Sequence, residues 1–286
     1  MMLLSEFLIA AVLAVYYRFR ILRNPERRTL VYKFFLIAAA AWLVEETSIL
    51  FYRFYSYSPD WSLFILDVPA SIVLIWPAVI FSARDIGVRL AGRKPNLVPL
   101  IAAGVVWTDA SLIEPIAVHA GLWHWNPSGV LNVPLIGIFG WAYFAFFCIL
   151  ACDQKGRSGL PTAFALLRVL PAAAACHLAL ISTWWTAFKW VEAPVDRTFA
   201  VATAWAVSLF LSYALFRLGA GYRIEKKILL QRLPASLFIF GLLASADIDR
   251  LLSSYAAAFT LPYLTILAQQ YAFSRSTDKK GCPAPG

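Results

Sequence analysis

Apolar residues in this chain form long unbroken runs, not the short alternations of a domain that folds in water. Runs near the length needed to span a bilayer, about 20 residues, occupy roughly 2–17, 31–52, 64–83, 97–117, 132–152, 161–188, 198–216 and 251–273. A further run, 234–246, is too short at about 1.5 Å per residue to cross a hydrocarbon core of about 30 Å, unless Leu229 to Arg232 extend it. The pattern predicts an all-α fold, a polytopic membrane bundle of eight or nine transmembrane helices. It forms one domain over 1–273, followed by a disordered cytoplasmic tail at 274–286.

Polar and aromatic residues punctuate these runs in a pattern written twice. Glu46 is followed nine residues later by Tyr55-Ser56-Tyr57, and Glu114 nine residues later by Trp123-His124-Trp125. Each aromatic pair leads to a Val-Pro step, Val68-Pro69 and Val133-Pro134, and a Trp stands seven residues after each Pro, at Trp76 and Trp141. The repetition predicts an internal two-helix repeat, with units at about 42–83 and 110–152, arranged around one shared pocket.

Composition fits the run pattern: 61% hydrophobic, only 14% charged, mean hydropathy +0.70. Basic residues sort onto alternate connections, as orientation charge does in membrane proteins. Arg18 to Lys33, Arg84 to Lys94, Lys155 and Arg157, Arg217 to Arg232, and Arg275 to Lys280 fall on one side; only Arg53, Lys189, Arg197 and Arg250 fall on the other. The basic side is read as cytoplasmic. That gives a multi-pass protein of the cytoplasmic membrane with its N-terminus outside. The net charge of +9 is then charge facing anionic lipid, and no nucleic-acid partner is implied. The first run lacks a basic leader and carries Glu6, so it is read as a retained helix.

Cys148, Cys152, Cys176 and Cys282 lack the C-x-x-C spacing of a zinc or redox site, and the three histidines are too few for a histidine-rich di-iron centre. No glycine-rich nucleotide loop is present, and no paired Asp-rich motif suits magnesium and pyrophosphate. Neither cofactor nor metal is expected.

Acids are costly in hydrocarbon and usually functional where they persist. Here they crowd the outer half. Asp67 and Asn132 precede Val-Pro at helix starts and read as caps, as does Asp249. Glu46 and Glu114 differ: they lie about 22 and 26 Å along their spans. Glu45 must face about 100° from Glu46, and Asp109 lies deeper in Glu114's span. These four acids are the candidate catalytic residues, with interhelical hydrogen bonding as the plain alternative. Trp123, Trp125, Tyr55, Tyr57, Trp76, Trp141 and His124 are the candidate substrate-binding set, although Trp and Tyr also settle at membrane interfaces whatever the function. A carboxyl flanked by aromatic faces can protonate an alkene and hold the resulting cation against electron-rich rings. His119 and His124 could relay protons or simply sit hydrogen-bonded at the interface, and His177 reads as structural.

The segment from Asp109 to Trp141 carries Asp109, Glu114, Pro115, Gly121, Trp123, Trp125, Gly129, Val133, Pro134, Leu135, Gly140 and Trp141. In that order and spacing it resembles the integral-membrane carotenoid hydratases, to which membrane lycopene cyclases are related. Glu46, Tyr55, Tyr57, Val68, Pro69 and Trp76 resemble the same family's first motif, without its glycines. The resemblance implies addition of water across the terminal double bond of an acyclic carotenoid, without a cofactor. Glu114 or Glu46 would give the proton, and the other of the two would position or deprotonate the incoming water. Other enzymes of carotenoid biosynthesis are then implied as partners, beside the lipid bilayer. Cyclisation through the same protonation, and non-catalytic binding of a carotenoid or lipid, are the alternatives.

Overall fold

The computed structural model describes residues 2–126, 129–153, 169–191, 194–219, 224–245 and 249–280. It is a bundle of apolar helices. Among the described residues eight are long and apolar enough to cross a membrane. In chain order the helices are α1 (Met2–Tyr16, continued by the wide turn Tyr17–Leu22), α2 (Arg27–Tyr52), α3 (Ala70–Ala91), α4 (Val98–His119) and α5 (Leu135–Asp153). Then come α6 (Val169–Thr186), α7 (Arg197–Gly219), α8 (Leu233–Ser245) and α9 (Arg250–Lys280). Part of the sixth predicted run, 161–168, lies outside the described residues. The short run at 234–246 reaches spanning length because the helical turn Lys226–Leu230 precedes it, giving a span over Ile228–Ser245. The last helix continues through 274–280, the start of the expected tail.

Helices α2 to α6 pack as a closed ring in which each touches the next and α6 returns to α2. Outside the ring, α7 and α9 pack on each other and α9 leans on α4, while α1 and α8 flank α3 and α4. The two ends of the bundle differ in chemistry. One holds the basic ion pairs, Arg20 to Asp85 at 2.8 Å and Arg89 to Glu225. The other holds all the strands of the described residues, the Glu6 carboxylate that accepts the Ser62 N–H at 2.8 Å, and Asp249. Asp249 caps α9 as expected, accepting the amides of Leu251 and Leu252 at 2.9 and 3.3 Å, and also pairs with Arg197.

The strands at that end express the repeat. β1 (Tyr55–Tyr57) pairs antiparallel with β4 (Trp123–Trp125), in the register Tyr55 to Trp125, Ser56 to His124 and Tyr57 to Trp123. The two copies of the pattern are therefore joined strand to strand. Trp61 Nε1 donates to the Leu122 carbonyl at 3.0 Å, and the Asn126 amide donates to Phe54 O at 2.6 Å, which extends the seam.

Each copy then makes a tight turn before its second helix. β2 (Phe64–Ile65) folds onto β3 (Val68–Pro69), and Val130 bridges Val133 in the second copy. Leu66, Leu131 and Asn132 adopt left-handed backbone (φ +58°, +51° and +66°), as the mirror-image turns of two-residue hairpins require. This corrects the expected role of Asp67 and Asn132. They are turn residues, and the start of α3 at Pro69 has no side-chain cap.

Candidate active site

Strand alternation decides which side chains look inward. Tyr55 and Tyr57 share one face of β1, and Trp123 and Trp125 share the matching face of β4. Tyr55 lies against Trp125 with ring centroids 4.6 Å apart, and Tyr57 meets Trp123 edge-on at 5.9 Å. Deeper in the ring, Trp76 of α3 and Trp141 of α5 approach to 4.7 Å, and Phe144 stands 4.8 Å from Trp76. Together they wall a cavity of about 100 Å³. The other walls are aliphatic, from Val44, Ile72, Ile75, Ile136 and Leu180.

Two carboxyls open into this cavity, and each is held by aromatic donors from its own copy of the repeat. Glu114 is buried, and its Oε2 accepts the indole N–H of both Trp123 and Trp125 at 2.8 Å, with Trp141 also against the carboxyl. Glu45 accepts the hydroxyls of Tyr55 and Tyr57 (the latter at 3.0 Å) on Oε2, and the Trp76 N–H at 3.0 Å on Oε1. Burial holds the phenols of Tyr55 and Tyr57 well above the ordinary tyrosine range, and the neighbouring Glu45 carboxyl pushes the same way, so both remain protonated donors.

The other two candidate acids do other work. Glu46, expected as the partner of Glu114, turns away from the cavity. Its Oε2 accepts the Asp67 amide at 3.0 Å and so anchors the first tight turn. Consecutive helical residues point about 100° apart, so only one of Glu45 and Glu46 can reach the cavity, and it is Glu45. Asp109 pairs with Arg232 and accepts the Tyr263 hydroxyl at 2.5 Å, while Arg232 also donates to Ser82 Oγ at 3.1 Å. That buried network ties α4 to α3, α8 and α9 outside the cavity.

Strand alternation also removes His124 from the expected binding set, because with Ser56 it occupies the opposite face of the ribbon. It lines an outer hollow of about 410 Å³ with Arg53, Asp67 and Asn126. Tyr55 and Trp125 wall both the hollow and the cavity. The remaining six candidate aromatics all line the cavity.

Some contributors were not singled out from the sequence. Gly137 lets the Trp125 ring lie on α5, since a Cβ there would come within 2.6 Å of it. Ala41, Ser48 and Tyr52 join the candidate Glu45 in lining the cavity at helical spacing along α2, a stripe that the spacing alone could have revealed. His177 bonds Thr47 and Tyr52. Among the described residues no three His, Cys, Asp or Glu side chains gather as metal ligands would.

Chemically, the site is an aromatic-walled apolar chamber that offers two differently held carboxyls to whatever enters it. Comparison of the chain with known protein families, curated proteins and solved structures finds no match to any of them.

Proposed function

We propose that this protein adds water to the terminal double bond of an acyclic carotenoid end group, by protonation and water capture in the aromatic chamber. The observation that carries the reading is the shared cavity of Glu45 and Glu114. Trp123 and Trp125 both donate to Oε2 of Glu114, with Trp141 also against the carboxyl, and Trp N–H can only donate, so the reading puts the transferable proton on Oε1. On Glu45 both oxygens already accept hydrogen bonds, from Tyr55 and Tyr57 on Oε2 and from Trp76 on Oε1. Glu114 is thus the acid that protonates the alkene. Glu45 is the fixed anion that balances the tertiary cation, with the rings of Trp76, Trp125 and Trp141 around it.

An outer hollow with Arg53, Asp67, His124 and Asn126 in its wall shares Tyr55 and Trp125 with the cavity, and this supports hydration over cyclisation by offering a place for water beside the chamber. The motif resemblance supports the same substrate class. Charge sorting supports a place in the cytoplasmic membrane with the strand-bearing end outside. A reporter fused at Asn126 should then read external, and fusions at Arg93 and Lys226 cytoplasmic.

Expression in cells that accumulate lycopene tests the reaction. A pigment heavier by one water per modified end is expected. Unchanged mass with altered absorption would replace hydration by cyclisation, and unchanged pigment would remove the carotenoid reading.

A further inference from the structure

Hydration leaves one proton to be placed. When water joins the cation, the oxonium must give up a proton, and the three donors already on Glu45 leave that carboxylate little room to receive it. Another polar chain reaches the cavity. His177 of α6 stands between Thr47 and Tyr52 of α2, with Nε2 2.6 Å from Thr47 Oγ1 and Nδ1 3.1 Å from the Tyr52 hydroxyl. Tyr52 lines the cavity, as does Leu180, three residues from His177 and on the same face of α6.

The hydrogen positions in this chain follow from its ends. Thr47 spends its hydroxyl proton on the carbonyl of Leu43 at 2.5 Å, the usual back-bond of a helical threonine. It can therefore only accept from His177, which fixes the neutral imidazole with its proton on Nε2 and a lone pair on Nδ1. Tyr52 must then donate to Nδ1, and its oxygen keeps lone pairs to accept a further proton.

The repeat offers no architectural reason for this chain. With Glu114 taken as the counterpart of Glu45, the places of Thr47 and Ser48 fall to Ile116 and Ala117 of α4, and that of Tyr52 to Gly121 just beyond the helix. The polar line exists in one half alone.

We propose that Tyr52 is the base that takes the proton of the attacking water, with His177 behind it as a positioning residue and Thr47 fixing the imidazole tautomer. The proposal rests on the hydration reading. In the step, the water oxygen bonds the tertiary carbon and an O–H bond of the oxonium breaks. That proton passes to the Tyr52 oxygen as the tyrosine's own proton moves to His177 Nδ1. The reverse shift, through Tyr52 and a cavity water, returns a proton to Glu114, so the cycle closes on alkene plus water giving alcohol.

The test separates protonation from water capture. Membranes containing the full chain are given lycopene in deuterated buffer. Mass spectrometry then follows water gain in the product and deuterium gain in the recovered substrate, which reports cations that formed and collapsed back to alkene. Tyr52→Phe should lower hydrated product at least about 10²-fold, the scale of a lost acid or base. Deuterium should still enter recovered lycopene at no less than the parental rate. His177→Phe should show the same split. Thr47→Ser should behave as the parental protein and Thr47→Val should not, a difference that helix packing alone would not produce.

Parental hydration by Tyr52→Phe would overturn the assignment. So would loss of deuterium exchange along with hydration, in protein present at normal levels and monodisperse in detergent. A parental protein that exchanges deuterium without gaining water would overturn the hydration reading itself, and the base with it.

Discussion

The two copies of the repeat place a carboxyl in the same cavity by different means. In the first copy, α2 supplies Glu45 to two tyrosine hydroxyls and one indole. In the second, α4 supplies Glu114 to indoles alone. Hydroxyls can donate or accept, whereas indoles only donate, so the repeated pattern gives two carboxyls with unlike surroundings. Pairs of acids whose environments diverge in this way are how one site can hold both an acid and an anion at a single pH. The second copy also carries the buried ion network of Asp109 with Arg232, and the first carries the Thr47, His177 and Tyr52 chain.

The comparison breaks most sharply at the acids. Glu114→Gln should leave protein in the membrane at parental levels while hydrated pigment falls about 10²- to 10⁴-fold, and Glu45→Gln should come close to it. Parental turnover by Glu114→Gln in a pigment extract would remove the proton-donor role. Arg232→Leu should act on stability instead. It strands the Asp109 charge at a cost of about 3–5 kcal/mol, read as loss of monodisperse protein in detergent, and the paired change Asp109→Leu with Arg232→Leu should recover the folded fraction. Failure of that recovery would mean the network does more than join helices.

A smaller effect belongs to Gly137→Ala. It pushes the Trp125 ring off α5 and should cost about 1–3 kcal/mol of packing, visible as a lower melting temperature together with reduced hydration. The smallest effects sharpen the asymmetry between neighbours. Glu46→Gln keeps a carbonyl for the Asp67 amide and should hydrate within about twofold of the parental rate. Asp67→Asn should do the same, since its backbone and not its side chain makes the bond. A large loss in Glu46→Gln beside an active Glu45→Gln would reverse the two glutamates.

Reading the chain alone reached the bundle, the repeat and the aromatic walls, because each is carried by periodicity that survives without neighbours. It paired Glu46 with Glu114 because both lie nine residues before an aromatic pair. Glu45 and Glu46 are adjacent, and which of them faces the chamber depends on the rotation of α2 within the ring. That rotation is set by packing against the neighbouring helices, which the order of residues along α2 does not record. Asp109 looked like a third catalytic acid because its partner, Arg232, is more than a hundred residues away. His124 was grouped with its neighbours Trp123 and Trp125, although strand geometry sends the middle residue of such a triplet to the opposite face. Gly137 and Tyr52 went unnoticed since neither belongs to the doubled pattern.

The local bookkeeping of hydrogen bonds also bears on how the chain is made. Among the described residues the side-chain donors to Glu45 are Tyr55, Tyr57 and Trp76, and those at Glu114 are Trp123 and Trp125 with Trp141 alongside, so each carboxyl finds its donors within its own stretch of nascent chain. At about 5–20 residues per second of synthesis, Trp125 emerges roughly 4–16 s after Glu45. During that interval the first half need not hold a bare acid in lipid while it waits for the second. Insertion can therefore precede docking. Each half thus carries the donors its own carboxyl needs to enter the bilayer, and the strand seam between Tyr55–Tyr57 and Trp123–Trp125 can close after both are in place.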